Sequence, residues 1–133
     1  MDAGVINMEL KDVQSITCYT VQKEHTAKVL GSGGLEVLAT PQLIAWMEET
    51  AYKSVDLYVG EGNTTVGISI NMSHLKASKV GAFITIKATL DKIEDRKLTF
   101  YIEATEDDQL IGKAIHERFI VNKEHFINKT YNK

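Results

Sequence analysis

The 133-residue chain has a single cysteine, Cys18, and a single proline, Pro41. One cysteine closes no internal disulfide, and no Cys/His group stands at the spacing of a zinc site. No apolar run approaches the roughly 20 residues that a membrane-crossing helix needs. Positive charge is not in surplus: 15 Lys+Arg stand against 18 Asp+Glu, for a formal charge of −3. That balance argues against nucleic acid as a partner, because phosphate binding draws on excess lysine and arginine. The start, Met1-Asp2-Ala3-Gly4, lacks the basic and apolar segments of a signal peptide, so the expected compartment is the cytoplasm. There is no internal repeat. The one glycine-rich stretch, Gly31-Ser32-Gly33-Gly34, is followed by no Gly-Lys-Ser/Thr and is not a phosphate loop. What remains is ordinary globular composition, 44% hydrophobic and 25% charged. The chain reads as one domain over 1–133, large enough to bury about two-thirds of its unfolded surface without a metal or disulfide.

One helix stands out. Thr40 followed by Pro41 is a helix start, with Thr40 in a position to cap a free N–H. Leu43, Ile44, Met47, Ala51, Val55, Tyr58 and Val59 then recur at helical spacing, and Gly60 offers a stop. The spacing predicts a helix over 41–59 of about five turns. The rest alternates with period two: Thr64, Val66, Ile68, Ile70, Met72; then Ala82, Ile84, Ile86, Ala88, Leu90; then Leu98, Phe100, Ile102, Ala104; then Ile111, Ile115, Phe119, Val121. Glu94–Lys97 and Glu106–Gln109 read as hairpin turns, and a further strand falls within Ser15–Lys28. The expectation is an α+β domain in which about five antiparallel strands curl around one helix. Residues 122–133 read as a turn and then a tail, loosely held from about 127.

On that helix, with Leu43 at zero, Glu48 falls near about 140°, inside the apolar arc, while Glu49 falls near about 240° and faces water. A carboxylate inside an apolar arc must be paired, hydrogen-bonded or protonated. Helix geometry alone leaves two readings of Glu48 open: an edge residue reaching solvent, or a functional acid. Thr40 projects toward roughly the same side as Glu48. His74, at the end of the 64–72 strand, is a candidate acid/base or orienting group, although a lone loop histidine is more often structural. Gly67 interrupts a β-rich run, as a bulge or as a point of close backbone approach. His116 reads as structural or interfacial, and His25 and His125 carry no signal. Cys18 has no basic neighbour to make it a nucleophile. Lys76, Lys79 and Arg118 are each most simply read as solvated surface.

Several short motifs in order carry a resemblance: Val37-Leu38-Ala39-Thr40-Pro41, Met47-Glu48, Thr64-Thr65-Val66-Gly67, Ser73-His74-Leu75, Arg96-Lys97-Leu98-Thr99-Phe100, Ile111-Gly112 and His116-Glu117-Arg118. From about Val37 to Phe126 the chain resembles the fluoroacetyl-CoA thioesterase-like family of hotdog-fold proteins. The resemblance implies a long helix wrapped by an antiparallel sheet, and a homodimer with active sites at the subunit interface. It implies a catalytic set of Thr40, Glu48 and His74, with Gly67 at the thioester. CoA enters as part of the substrate, and no separate cofactor or metal is implied. The segment before Thr40-Pro41, where fluoroacetyl-CoA enzymes carry aromatic residues, has none between Gly31 and Ala39. The expected activity is therefore hydrolysis of a short-chain acyl-CoA to a carboxylate and CoA, without strong selection for fluorine. A non-catalytic acyl-CoA-binding module is the alternative. A hotdog hydratase or dehydratase is disfavoured, since the nearest carboxylate upstream of His74 is Glu61, too far for the usual close Asp/His pair.

Overall fold

A computed structural model of the chain describes residues 13–133. Residues 1–12, with the Met1–Gly4 start and the front of the expected 1–133 domain, lie outside the described residues. Strand β1 (Gln14–Thr20) leads through a 3-10 turn (Lys23–His25) and a single helical turn, α1 (Ala27–Leu30), to helix α2 (Thr40–Val55). Four strands follow: β2 (Asn63–His74), β3 (Phe83–Glu94), β4 (Lys97–Glu106) and β5 (Gln109–Asn122). Helix α3 (Lys123–Tyr131) closes the chain. The five strands form one sheet in the order β1-β3-β4-β5-β2, with every neighbouring pair antiparallel. Helix α2 packs on this sheet, touching β1, β2, β3 and β4. No helix among the described residues is long and apolar enough to cross a membrane.

The core forms where alternation and helical spacing meet. Ile84, Ile86 and Ala88 of β3 and Leu98, Phe100, Ile102 and Ala104 of β4 are buried against Leu43, Met47, Ala51 and Val55 of α2. Asp95 and Asp107–Asp108 take positive φ in the two hairpin turns, which tight primed turns require and aspartate tolerates.

Four local expectations change. The helix ends at Val55, not Val59: the Tyr58 amide bonds the Val55 carbonyl in a tightened last turn, and Gly60 and Gly62 take positive φ on the way into β2. Trp46 and Thr50 join its buried face, because Tyr19 of β1 stacks on the Trp46 ring with centroids 4.5 Å apart. On β5 the inward parity is Gly112, Ala114, His116, Arg118 and Ile120, so Ile115 and Phe119 face outward. The tail is helical to Tyr131, because the Asn122 side chain accepts the His125 amide at 2.9 Å and caps α3.

Candidate active site

Thr40 opens α2 but does not cap it; Ala39 holds the cap position. The threonine hydroxyl is thereby released to bond His74 Nδ1 at 2.8 Å, across 34 residues of sequence. His74 reaches it from the end of β2. Its other ring nitrogen, Nε2, is buried and has no hydrogen-bond partner among the described residues. Burial holds the His74 pKa below its ordinary value, opposed by the Lys76 backbone. The ring is therefore neutral near pH 7, with one nitrogen bound to a hydroxyl and the other free. A cavity of about 290 Å³ opens beside this pair, walled by Ala27, Ser32, Val37, Leu38, Leu75 and Ala77. No aromatic residue lines it.

Glu48 lies at the edge of the buried arc of α2, with its side chain 43% exposed. Its carboxylate points at Gly67: a Cβ built there would stand 2.9 Å from Glu48 Oε2, 3.3 Å from an Arg118 nitrogen and 3.3 Å from His116 Cε1. Gly67 is thus glycine for space, and the bulge reading holds beside it. The sheet register slips between Gly67 and Ser69, leaving Ile68 as a bulge, and a side chain approaches the Gly67 backbone closely. Arg118 is not solvated surface. It is 6% exposed, donates from Nε to Thr65 Oγ1 at 2.8 Å and from Nη2 to the Thr65 carbonyl at 3.0 Å, and brings Nη1 to 4.0 Å from Glu48 Oε2. The strand's apolar residues misled the reading here; the parity of Ala114 and Ile120 is the signal that places Arg118 inside. Glu49 also differs from expectation, since it accepts the Tyr19 hydroxyl at 2.5 Å and pairs with Lys53 at 3.5 Å.

The candidate residues therefore form two separate groups. Thr40 joins His74, and Glu48 joins Gly67 and Arg118, but the pairs stand apart. Eight residues of helix separate Thr40 from Glu48, about 12 Å along the axis. The β5 partners of Gly67 and His74 are Arg118 and Gly112, a span of about 20 Å along the strand. Cys18 is exposed and joins neither group; Lys76 lines the cavity beside Thr40 and His74, with its ammonium donating to Gln109 Oε1 at 2.9 Å. Another cavity, of about 500 Å³, is lined by α3 and the end of β5, among them Phe119, Phe126 and Lys129, and contains none of the candidate residues.

The profile of the family described as fluoroacetyl-CoA-specific thioesterase matches residues 21–124. The chain belongs to this family, and with it to the thioester hydrolases. A fluoroacetyl-CoA thioesterase of Streptantibioticus cattleyicolor is 30% identical over 98 residues, covering 74% of this chain and 70% of that protein. The solved structure of the fluoroacetyl-CoA thioesterase FlK superposes with a TM-score of 0.86 at 25% identity, over 92% of this chain and 96% of that one. A hot-dog-like protein from Thermanaerovibrio acidaminovorans shares the fold, with a TM-score of 0.85 at 19% identity over 93% of each chain. The fold is the hotdog, with its central helix at 16 residues.

Proposed function

We propose that this chain hydrolyses short-chain acyl-CoA thioesters to a carboxylate and free CoA, and that it does so as a cytoplasmic homodimer whose two half-sites meet across the subunit interface. Supporting the dimer, β2 is an edge strand, and an open edge needs cover. Antiparallel pairing of two β2 copies about an axis at Asn71 would set Ile70 opposite Met72 and, because the Ile68 bulge takes up one residue, Gly67 opposite His74. Gly67 of one copy then faces His74 of the partner subunit. The observation that carries the proposal is that the Thr40–His74 pair and the Glu48–Gly67–Arg118 group lie about 20 Å apart along one edge strand, where twofold pairing would bring the two kinds of group together.

In the joined site the thioester carbonyl sits near Thr40 and the Gly67 backbone N–H, which stabilise the oxyanion as charge develops on it. Glu48 takes a proton from an attacking water, or attacks the carbonyl carbon itself to form an acyl anhydride that a water molecule then hydrolyses, releasing the acid and restoring the carboxylate. The C–S bond breaks, and the CoA sulfur leaves with a proton moved through His74. The acyl group occupies the cavity beside Thr40, whose lining of small, aliphatic and polar residues includes no Phe, Tyr or Trp to read a fluorine.

The test is thiol release from acetyl-, fluoroacetyl-, propionyl- and butyryl-CoA. Turnover of several, with less than about a hundredfold preference for the fluorinated one (about 2.7 kcal/mol of barrier), is expected. A larger preference overturns the specificity. Binding without thiol release from any of them would leave the binding module.

A further inference from the structure

The sequence reading set His116 aside as structural, yet the ring is 1% exposed and lies against Gly67, the point where Glu48 arrives. Its two nitrogens have partners of opposite kind. Nδ1 stands 2.7 Å from the carbonyl oxygen of Ser69, which can only accept. Nε2 stands 3.2 Å from Nη1 of Arg118, which can only donate. Together these partners admit one form of the ring: neutral, with the proton on Nδ1.

We infer that His116 is a positioning residue for the site proposed above: its Nδ1 proton fixes the β2 bulge through Ser69, while Arg118, already held by Thr65, sets the tautomer at Nε2, so that Gly67 and Glu48 meet in one geometry. The inference rests on the thioesterase reading for its catalytic consequence, but the tautomer can be tested without it.

The bulge makes this clamp necessary. Ile68 is the extra residue, and a bulge interrupts the regular ladder bonds around it. Ser69 is gripped from both faces of the sheet. Outside, its hydroxyl bonds Glu117 Oε1 at 2.8 Å; inside, its carbonyl takes the His116 proton. Glu117 and Arg118 pair with Ser69 and Gly67 across the same slip. Without the inner bond, Ser69 would keep its place in the ladder opposite Glu117 and its exposed hydroxyl bond to that residue, with nothing fixing its carbonyl on the core side. Arg118 is held as firmly: Thr65 takes Nε and Nη2, which leaves Nη1 to span His116 and Glu48. Phe100 closes the ring from the β4 side, with centroids 6.3 Å apart. The groups charged or titratable around His116 are Arg118, Glu117 and Glu48.

The experiment has two arms. The first is long-range ¹H–¹⁵N correlation of the histidine rings in the full-length protein near neutral pH, with the His116 signals assigned from their loss in His116→Asn. A neutral ring protonated at Nδ1 is expected, which is the less common tautomer of free histidine. A proton on Nε2, or a charged ring, overturns the inference whether or not the protein is an enzyme. The second arm compares two non-titrating amides. His116→Asn places its N–H where Nδ1 was and keeps the Ser69 clamp; His116→Gln reaches Arg118 instead and gives the clamp up. With melting temperatures alike, His116→Asn is expected to keep kcat for acetyl-CoA within threefold, and His116→Gln to lose at least tenfold in kcat with little change in KM. Equal kcat for the two, high or low, refutes the positioning role. Wild-type protein that releases no thiol defeats the thioesterase reading and its catalytic consequence, while the tautomer arm still decides the clamp.

Discussion

Two half-sites about 12 Å apart along α2 make a sharp demand on assembly. Thr40→Val removes the hydroxyl that bonds His74 at 2.8 Å, and Glu48→Gln removes the carboxylate at Gly67 while keeping its shape. Each is expected to lower turnover by about 10²–10⁴-fold, roughly 2.7–5.4 kcal/mol of barrier. Neither should cost much stability. Thr40 is exposed, and the Glu48–Arg118 approach is long, at 4.0 Å, with the acid 43% exposed, so the pair contributes at most about 1 kcal/mol. If the half-sites are completed across a twofold axis, unfolding and refolding an equimolar mixture of the two variants produces heterodimers in which both lesions fall in one site and the other site is intact. Half the dimers are mixed and each carries one working site, so turnover returns to about a quarter of wild type. The assay is thiol release before and after co-refolding, with light scattering to read the mass. If each chain worked alone, both sites of a heterodimer would stay dead. Mixtures that stay at the level of the separate variants, or a species of only 14.8 kDa with full wild-type turnover, would refute the shared site.

Glu49→Gln weakens the bond from Tyr19 and the pair with Lys53, so a stability loss of about 1 kcal/mol with unchanged kcat is expected by thermal melting and thiol release; a loss like that of Glu48→Gln would contradict the assignment. Gly67→Ala sets a methyl group 2.9 Å from Glu48 Oε2, and because the carboxylate end can swing away, kcat should drop at least tenfold while the melting temperature falls by only a few degrees. The pKa values of His74 and His116 are both held below the ordinary 6.5, chiefly by burial. As pH falls below that value the unfolded chain gains protons first, so stability present near pH 7 is lost progressively on the way to pH 5. A melting temperature flat between pH 7 and pH 5.5 would show that these rings are not buried as neutral groups.

Much of this protein was legible from residue order. Alternation located the inward faces of β3 and β4, because a strand with one buried face must place apolar side chains at every second position. Thr40-Pro41 marked the start of α2, while the wheel's contrast between Glu48 and Glu49 did not hold as burial: both side chains are 43% exposed and they differ in their partners, Arg118 for one and Tyr19 with Lys53 for the other. Motif order carried the family, since short patches at matching spacings survive where overall identity does not. What periodicity could not decide was contact between distant segments. It placed Ile115 and Phe119 inward because they are apolar, whereas the inner face of β5 carries His116 and Arg118, polar groups satisfied by Thr65 and Ser69 about fifty residues away. It allowed Thr40 a capping role, whereas packing of β2 beside the α2 start delivers His74 to its hydroxyl. The bulge at Ile68 shifts the parity of β2 midway, so no single alternating face runs from Thr64 to Met72. Local sequence determines which faces are apolar, because burial of each face is favourable wherever it occurs. Which polar groups are paired inside depends on strand register across the sheet, and only the tertiary structure sets that.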